Sequence, residues 1–162
     1  MTYGFAFANA HLADTGTPPA WWSSDMWETP DEFVRELESR LGPFDLDPCC
    51  CTTTAKAPCY FTEETDGLAQ PWFGRVFVNP PYSNIAPWVR KAHRETATGN
   101  AGTVACLLPA ATDTRWFHDW VRSKADLWFI AGRVRFIGWR GTRIRGPRSA
   151  SMVAVYTKAL AA

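Results

Sequence analysis

No stretch of this sequence approaches the ~20 consecutive apolar residues that a membrane-spanning helix needs, so a helical span is excluded. No lysine or arginine occurs before Arg35, and the charged start of a secretion leader is therefore missing; the expectation is a cytoplasmic protein. The five cysteines are an odd number without such a leader, which argues against a disulfide framework. Cys49, Cys50 and Cys51 are adjacent, have no histidine near them in sequence and lack the paired spacing of a zinc site. They read as small buried residues, and no metal is expected. Internal repeats, heptads and an interdomain linker are also missing. Residues 1–20 read as a loosely held arm, and 21–162 as one domain long enough for a sizeable core.

What is present is unevenly placed. The net charge is only +1, yet residues 1–81 carry four Lys/Arg against twelve Asp/Glu, and residues 82–162 carry thirteen against four. A basic half in a near-neutral chain points to a polyanion on one face; a folded dipole with no partner is the bland alternative. Nine Trp and ten Phe supply a core and some stacking surfaces.

Along the chain, Thr29-Pro30-Asp31-Glu32 predicts a helix start, with Thr29 as cap, Pro30 in the first turn and Glu32 closing a capping box. Phe33, Leu37 and Leu41 mark its apolar stripe, and Gly42-Pro43 stops it. Short strands are expected at Phe44–Asp47, Tyr60–Thr62 and Arg75–Val78. A second helix is expected from Pro87 to about Thr98, capped near Ser83 or Asn84. Val104–Leu108 is an unbroken apolar run, as in a strand buried on both faces. A helix opened by Thr112 or Asp113 follows, carrying His118 as a surface residue, then strands at Leu127–Ile130, Arg133–Ile137 and Met152–Tyr156. This order predicts a mostly parallel three-layer α/β sheet.

The loop Asn79-Pro80-Pro81-Tyr82 lies between a predicted strand and a predicted helix, where open α/β sheets place their ligands. Its bland reading is a Pro-Pro turn capped by Asn. Its chemical reading is a clamp for a planar amine such as that of adenine, whose lone pair is delocalised into the ring. The Asn79 amide oxygen and the Pro80 carbonyl can each accept one N–H of that amine, which localises the lone pair for attack. The prolines stiffen the loop and remove donors. Tyr82 offers a flat face for a base swung out of its stack.

Asp45 and Asp47, at a strand end beside small residues, suit the hydroxyls or amino group of a nucleotide-like cofactor; a solvated turn is the alternative. Asp66 can accept from an adenine amino group, and Gly67 permits close backbone approach; a plain Asp-Gly turn is the alternative. The loop from Gly138 to Arg148 carries Arg140, Arg143, Arg145 and Arg148 with one Trp, and it suits phosphate contacts or a solvated hairpin.

Taken together, Trp27-Glu28-Thr29-Pro30, Phe44-Asp45-Leu46-Asp47, Asp66-Gly67-Leu68 with Trp72, Asn79-Pro80-Pro81-Tyr82 and Gly132-Arg133-Val134-Arg135-Phe136 resemble the phage-type DNA N-6-adenine methyltransferases. The resemblance covers about residues 25 to 157. It implies a compact Rossmann-like class I methyltransferase domain, with helices on both faces of the sheet and an antiparallel C-terminal strand. It implies S-adenosylmethionine as donor, S-adenosylhomocysteine as product, and DNA as partner, in a phage or prophage protein of a bacterial host, monomeric or homodimeric. Trp27, Thr29 and Pro30 would lie beside the methionine part of the cofactor. Asp45, Asp47 and Pro48 would form its first loop, and Asp66, Gly67 and Leu68 would border its adenine. Asn79 to Tyr82 would hold the target base, and Arg133 would join the basic loop on DNA. Low sequence specificity is expected. Methylation of cytosine N4, of an RNA base or of a protein glutamine uses the same kind of loop, and a non-catalytic DNA binder is a further alternative. One departure from the family is the run Pro48-Cys49-Cys50-Cys51-Thr52-Thr53-Thr54, which has no glycine. The short interval from Asp47 to Asn79 also implies a missing strand–helix unit.

Overall fold

The computed structural model describes residues 17–143 and 149–160. Its centre is β4 (Ala101–Pro109), flanked by β3 (Gly74–Val78) and β6 (Ser151–Thr157). Side chains alternate across a strand, and here both faces are covered. Val76, Val78, Val104, Cys106, Leu108, Met152, Ala154 and Tyr156 enter one core cluster. Their neighbours Phe77, Ala105, Leu107, Val153 and Val155 enter the other. The unbroken apolar run of β4 is thus a strand buried on both sides, as its composition predicts.

Two helices cover the first face. α2 (Ala86–Thr98) contributes Trp88, Val89 and Ala92, and α3 (Arg115–Trp120) contributes Phe117. α1 (Asp31–Leu41) covers the second face through Val34 and Leu37. β1 (Leu46–Asp47) pairs in parallel with β2 (Cys59–Tyr60) and with β3, and β3 is parallel to β4. β6 runs antiparallel to both β4 and β5 (Asp126–Phe129), giving the order β2-β1-β3-β4-β6-β5. No helix occurs between β1 and β3, in keeping with the short interval there.

Three local expectations are corrected. α1 begins at Asp31 with Pro30, not Thr29, at its N-cap, and no side chain caps it. Pro30 disfavours a helical conformation in the residue before it. Glu32, instead of closing a capping box, pairs with Arg143 at 2.7 Å. α2 has Ile85 at its N-cap, with Pro87 in the first turn, because the Ser83 hydroxyl is bound to Asp25. Arg133–Ile137 is not a strand of the sheet. Its alternation is real, with Val134 and Phe136 buried and Arg133 and Arg135 exposed. However, Gly132 turns the chain at φ 84°, away from the line of β5. Among the described residues, Ile137 makes isolated bridge pairs with Glu28 and Arg143. His118 is exposed, as expected.

Candidate functional site

The parallel strands β1 and β3 bring the chain after Asp47 and the loop from Asn79 to one end of the sheet. Asn79 donates through Nδ2 to the Trp27 carbonyl at 3.0 Å. A carbonyl only accepts, so the amide NH₂ must face it and Oδ1 must face the other way. No described residue donates to Oδ1. The Pro81 carbonyl accepts the Asn84 N–H at 3.0 Å, whereas no described residue donates to the Pro80 carbonyl. The loop thus displays two unused acceptors, Asn79 Oδ1 and Pro80 O, and its two prolines add no donor. Tyr82 is half-buried, packs into both core clusters and meets Phe136 edge-on at 6.3 Å between ring centres. Burial pushes its phenol well above the usual range, so it stays neutral.

Among the described residues, four buried polar side-chain atoms have no hydrogen-bond partner: Trp27 Nε1, Thr29 Oγ1, Tyr82 OH and His93 Nδ1. Buried polar atoms are ordinarily paired, since leaving one unpaired costs about 1–3 kcal/mol. Three of these four belong to the segments predicted to hold cofactor and base. Trp27 holds Asn79 through its carbonyl, and its ring lies 5.8 Å from that of Phe136, which also meets Tyr82. A polar ligand at this end of the sheet would satisfy such groups, so the residues present fit a small polar cofactor.

The glycine-free loop after β1 takes its shape from Asp47. Its Oδ1 accepts the Cys49 N–H at 3.2 Å and its Oδ2 the Lys56 N–H at 3.0 Å. The Lys56 ammonium then binds Glu28 at 2.7 Å and Asp31 at 2.6 Å, fastening this loop to the start of α1. Asp47 is 2% exposed, and burial raises its carboxyl pKa to about 6 against the hydrogen bonds that lower it. A folded pKa above the unfolded one means that the native state holds the proton more tightly. This group's contribution to stability is therefore full at low pH and is lost as pH rises through about 6. The expected result is a stability difference between Asp47→Asn and wild type that shifts in the variant's favour from pH 4 to pH 7. At ~1.4 kcal/mol per pKa unit, the shift is on the order of 3 kcal/mol. Urea unfolding of both proteins across that range measures it, and a pH-independent difference would contradict the assignment.

Gly67 is buried against Pro48. A Cβ at Gly67 would overlap the Pro48 carbonyl oxygen and sit 2.9 Å from its carbon. The two segments expected around the cofactor, at Pro48 and at Asp66-Gly67-Leu68, therefore touch. Asp66 adopts a left-handed φ of 49° and accepts the Leu68 N–H at 3.1 Å, as in an Asx turn. The Gly67 carbonyl accepts from the buried Trp72 Nε1 at 2.8 Å. Asp45 goes elsewhere: its carboxylate accepts the Arg75 N–H at 2.8 Å and fastens the start of β3. Arg75 precedes Asn79 by four residues of extended chain, about 13 Å, so the structure does not bring Asp45 to the Asn79 loop. An open groove of about 330 Å³ lies between α1 and residues 55–58, and it meets the site only through Asp31 and Lys56.

The predicted DNA-facing arginines are partly committed. Arg143 binds Glu32 and the Arg135 carbonyl, and Arg133 donates to the Ser149 carbonyl at 2.7 Å. Arg140 lies 5.8 Å from the centre of the Trp139 ring, whose other contact is the exposed Trp21 at 5.6 Å. Arg145 and Arg148 lie outside the described residues. Among the described residues, no cluster of His, Cys, Asp and Glu is suited to a metal. The Lys56 ammonium and Phe136 join the site through contacts 25 or more positions apart in sequence, which no local pattern signals.

Comparison with known proteins gives the family of this chain. Residues 18–161 match the family described as DNA N-6-adenine-methyltransferase (Dam). A protein of Escherichia phage T1 named DNA N-6-adenine-methyltransferase is 30% identical over 158 residues, which cover 86% of this chain and 64% of that protein. One of the same name from Haemophilus phage HP1 is 34% identical over 116 residues, 70% of this chain and 66% of that protein. The chain thus spans just under two thirds of the length of these two relatives. The match across residues 18–161 places this chain in the DNA N-6-adenine-methyltransferase (Dam) family.

Proposed function

We propose that this protein transfers a methyl group from S-adenosylmethionine to the N6 amine of adenine in DNA. The observation that carries this reading is the orientation of Asn79. With Nδ2 committed to Trp27, Oδ1 is left as an acceptor beside the unused Pro80 carbonyl. Two acceptors on one stiff loop match the two N–H groups of an exocyclic amine, and in accepting them they turn the nitrogen lone pair out of conjugation. No side chain needs to act as nucleophile. As the nitrogen gains its fourth bond its N–H becomes acidic, and the proton leaves through these acceptors or to water.

S-adenosylmethionine, when bound, supplies the methyl group on a positively charged sulfur. Trp27, Thr29 and Pro30, the Asp47-Pro48 loop and Asp66 to Leu68 would hold it, consistent with the unpaired Trp27 Nε1 and Thr29 Oγ1. Most of the acceleration then comes from holding two reactants in line and excluding water between them. On this reading the sheet is a compact Rossmann-like class I methyltransferase fold, acting in the cytoplasm of a bacterial host. Tyr82 packs beside the everted base.

The test is product analysis. Duplex DNA incubated with protein and labelled donor should yield labelled N6-methyladenine across many sequence contexts. Labelled N4-methylcytosine, or no labelled base, would overturn the reading. Charge on the Trp139 turn is expected to act on the DNA backbone. Arg140→Ala should reduce the slope of log affinity against log salt by about one unit while leaving donor binding unchanged. Titration at several salt concentrations checks this.

A further inference from the structure

Asp25 sits in a single 3₁₀ turn, Ser24–Met26, that precedes α1. Its Oδ1 accepts the N–H of Ser83 at 3.0 Å, and its Oδ2 accepts the Ser83 hydroxyl at 2.5 Å, across 58 positions of sequence. Two residues further on, the Trp27 carbonyl accepts Asn79 Nδ2. The segment 25–27 therefore grips the Asn79–Tyr82 loop at both ends. The strap is itself fastened. Ser23 caps the turn by accepting the Asp25 N–H, Glu28 exchanges two backbone hydrogen bonds with Ile137 at 2.9 Å, and the Glu28 carboxylate binds Lys56.

We propose that Asp25 is a positioning residue for this loop, fixing its exit at Ser83 so that Asn79 Oδ1 and the Pro80 carbonyl converge on one amine. The proposal rests on the methyltransferase reading above. The loop needs such a hold because Pro80 and Pro81 have no N–H by which the fold can tether them. Its own backbone bond, from the Asn84 N–H to the Pro81 carbonyl, closes a turn without attaching that turn to anything else. Asp25 and Ser83 are exposed, where a hydrogen bond adds little to global stability, so the effect of this pair is local. Misplacing a reacting group by about 1 Å can cost on the order of 100-fold in rate.

The experiment compares wild type, Asp25→Ala, Asp25→Asn and Ser83→Ala. It measures kcat, the donor KM, and hydrogen exchange at the Ser83 amide. Asp25→Ala should lower kcat about 10- to 100-fold with the donor KM within about twofold, and should speed Ser83 exchange by at least about tenfold. Asp25→Asn keeps an oxygen for the Ser83 N–H and an NH₂ for its hydroxyl, so it should recover most of the rate. Ser83→Ala, which keeps the N–H bond, should fall between. A kcat for Asp25→Ala within twofold of wild type, or unaltered Ser83 exchange, would overturn the proposal. If Asp25→Ala does not fold, Ser83→Ala decides, and wild-type kcat there overturns it. If wild type transfers no methyl group, the methyltransferase reading fails, and exchange at Ser83 still decides whether Asp25 fixes the loop.

Discussion

Asn79→Ala is expected to lower turnover by about 100- to 1000-fold while changing donor affinity by less than about twofold, the scale seen when one preorganised partner of a reacting group is removed. The asymmetry follows from the geometry. On the proposed reading Asn79 Oδ1 serves the amine, not the donor. Although the Trp27 carbonyl loses its bond from Asn79, the segment stays held by the Trp27–Phe136 ring contact and the Glu28–Ile137 backbone pair. Asn79→Asp separates the two jobs of the side chain. It keeps an acceptor but cannot donate to the Trp27 carbonyl, so two oxygens repel where one hydrogen bond stood. It should therefore recover only part of the rate lost in the alanine variant. Single-turnover kinetics on duplex DNA, beside calorimetric titration of the donor, measures both quantities. Near wild-type turnover in Asn79→Ala would remove the loop from the chemistry.

Gly67→Ala should act in the opposite way, on donor binding and on stability together. The added methyl overlaps a backbone carbonyl, that of Pro48, and backbone cannot swing aside as a long side chain can. Either the Pro48 loop or the Asp66–Leu68 turn must move, and the Trp72 Nε1 bond to the Gly67 carbonyl moves with the turn. Overpacking of this kind costs about 1–3 kcal/mol. Because the two displaced segments are those proposed to flank the donor, its dissociation constant should rise by about tenfold or more, the equivalent of ~1.4 kcal/mol. Denaturant unfolding and donor titration on the same preparation check both parts. Wild-type values for both would show that the two loops do not touch.

The elements that sequence reasoning reached were those whose signal is local. The buried strand β4, the stop at Gly42, the amphipathic stripe of α1 and the last strand, β6, all follow from periodicity or a turn residue within about ten positions. Arg133–Ile137 shows where such reasoning ends. Its alternation is that of a strand and its burial is that of a strand, yet it lies outside the sheet, beyond the turn that Gly132 makes at a left-handed φ. Thr29 shows the same limit at smaller scale. The capping-box pattern is intact, but the helix starts one residue later, and Arg143, more than one hundred positions away, takes the Glu32 carboxylate.

By itself the sequence determined that the chain is α/β, that the Asn79 loop lies at a strand end, and that this loop is rich in acceptors and poor in donors, because proline geometry and amide chemistry are carried by the residues themselves. The tertiary structure decided which way the Asn79 amide faces, that the Asp45 carboxylate binds the start of β3, and that Asp25 and Lys56 hold the surrounding loops. Those outcomes depend on partners 25 to 58 positions away, and only the folded chain brings them within hydrogen-bonding distance.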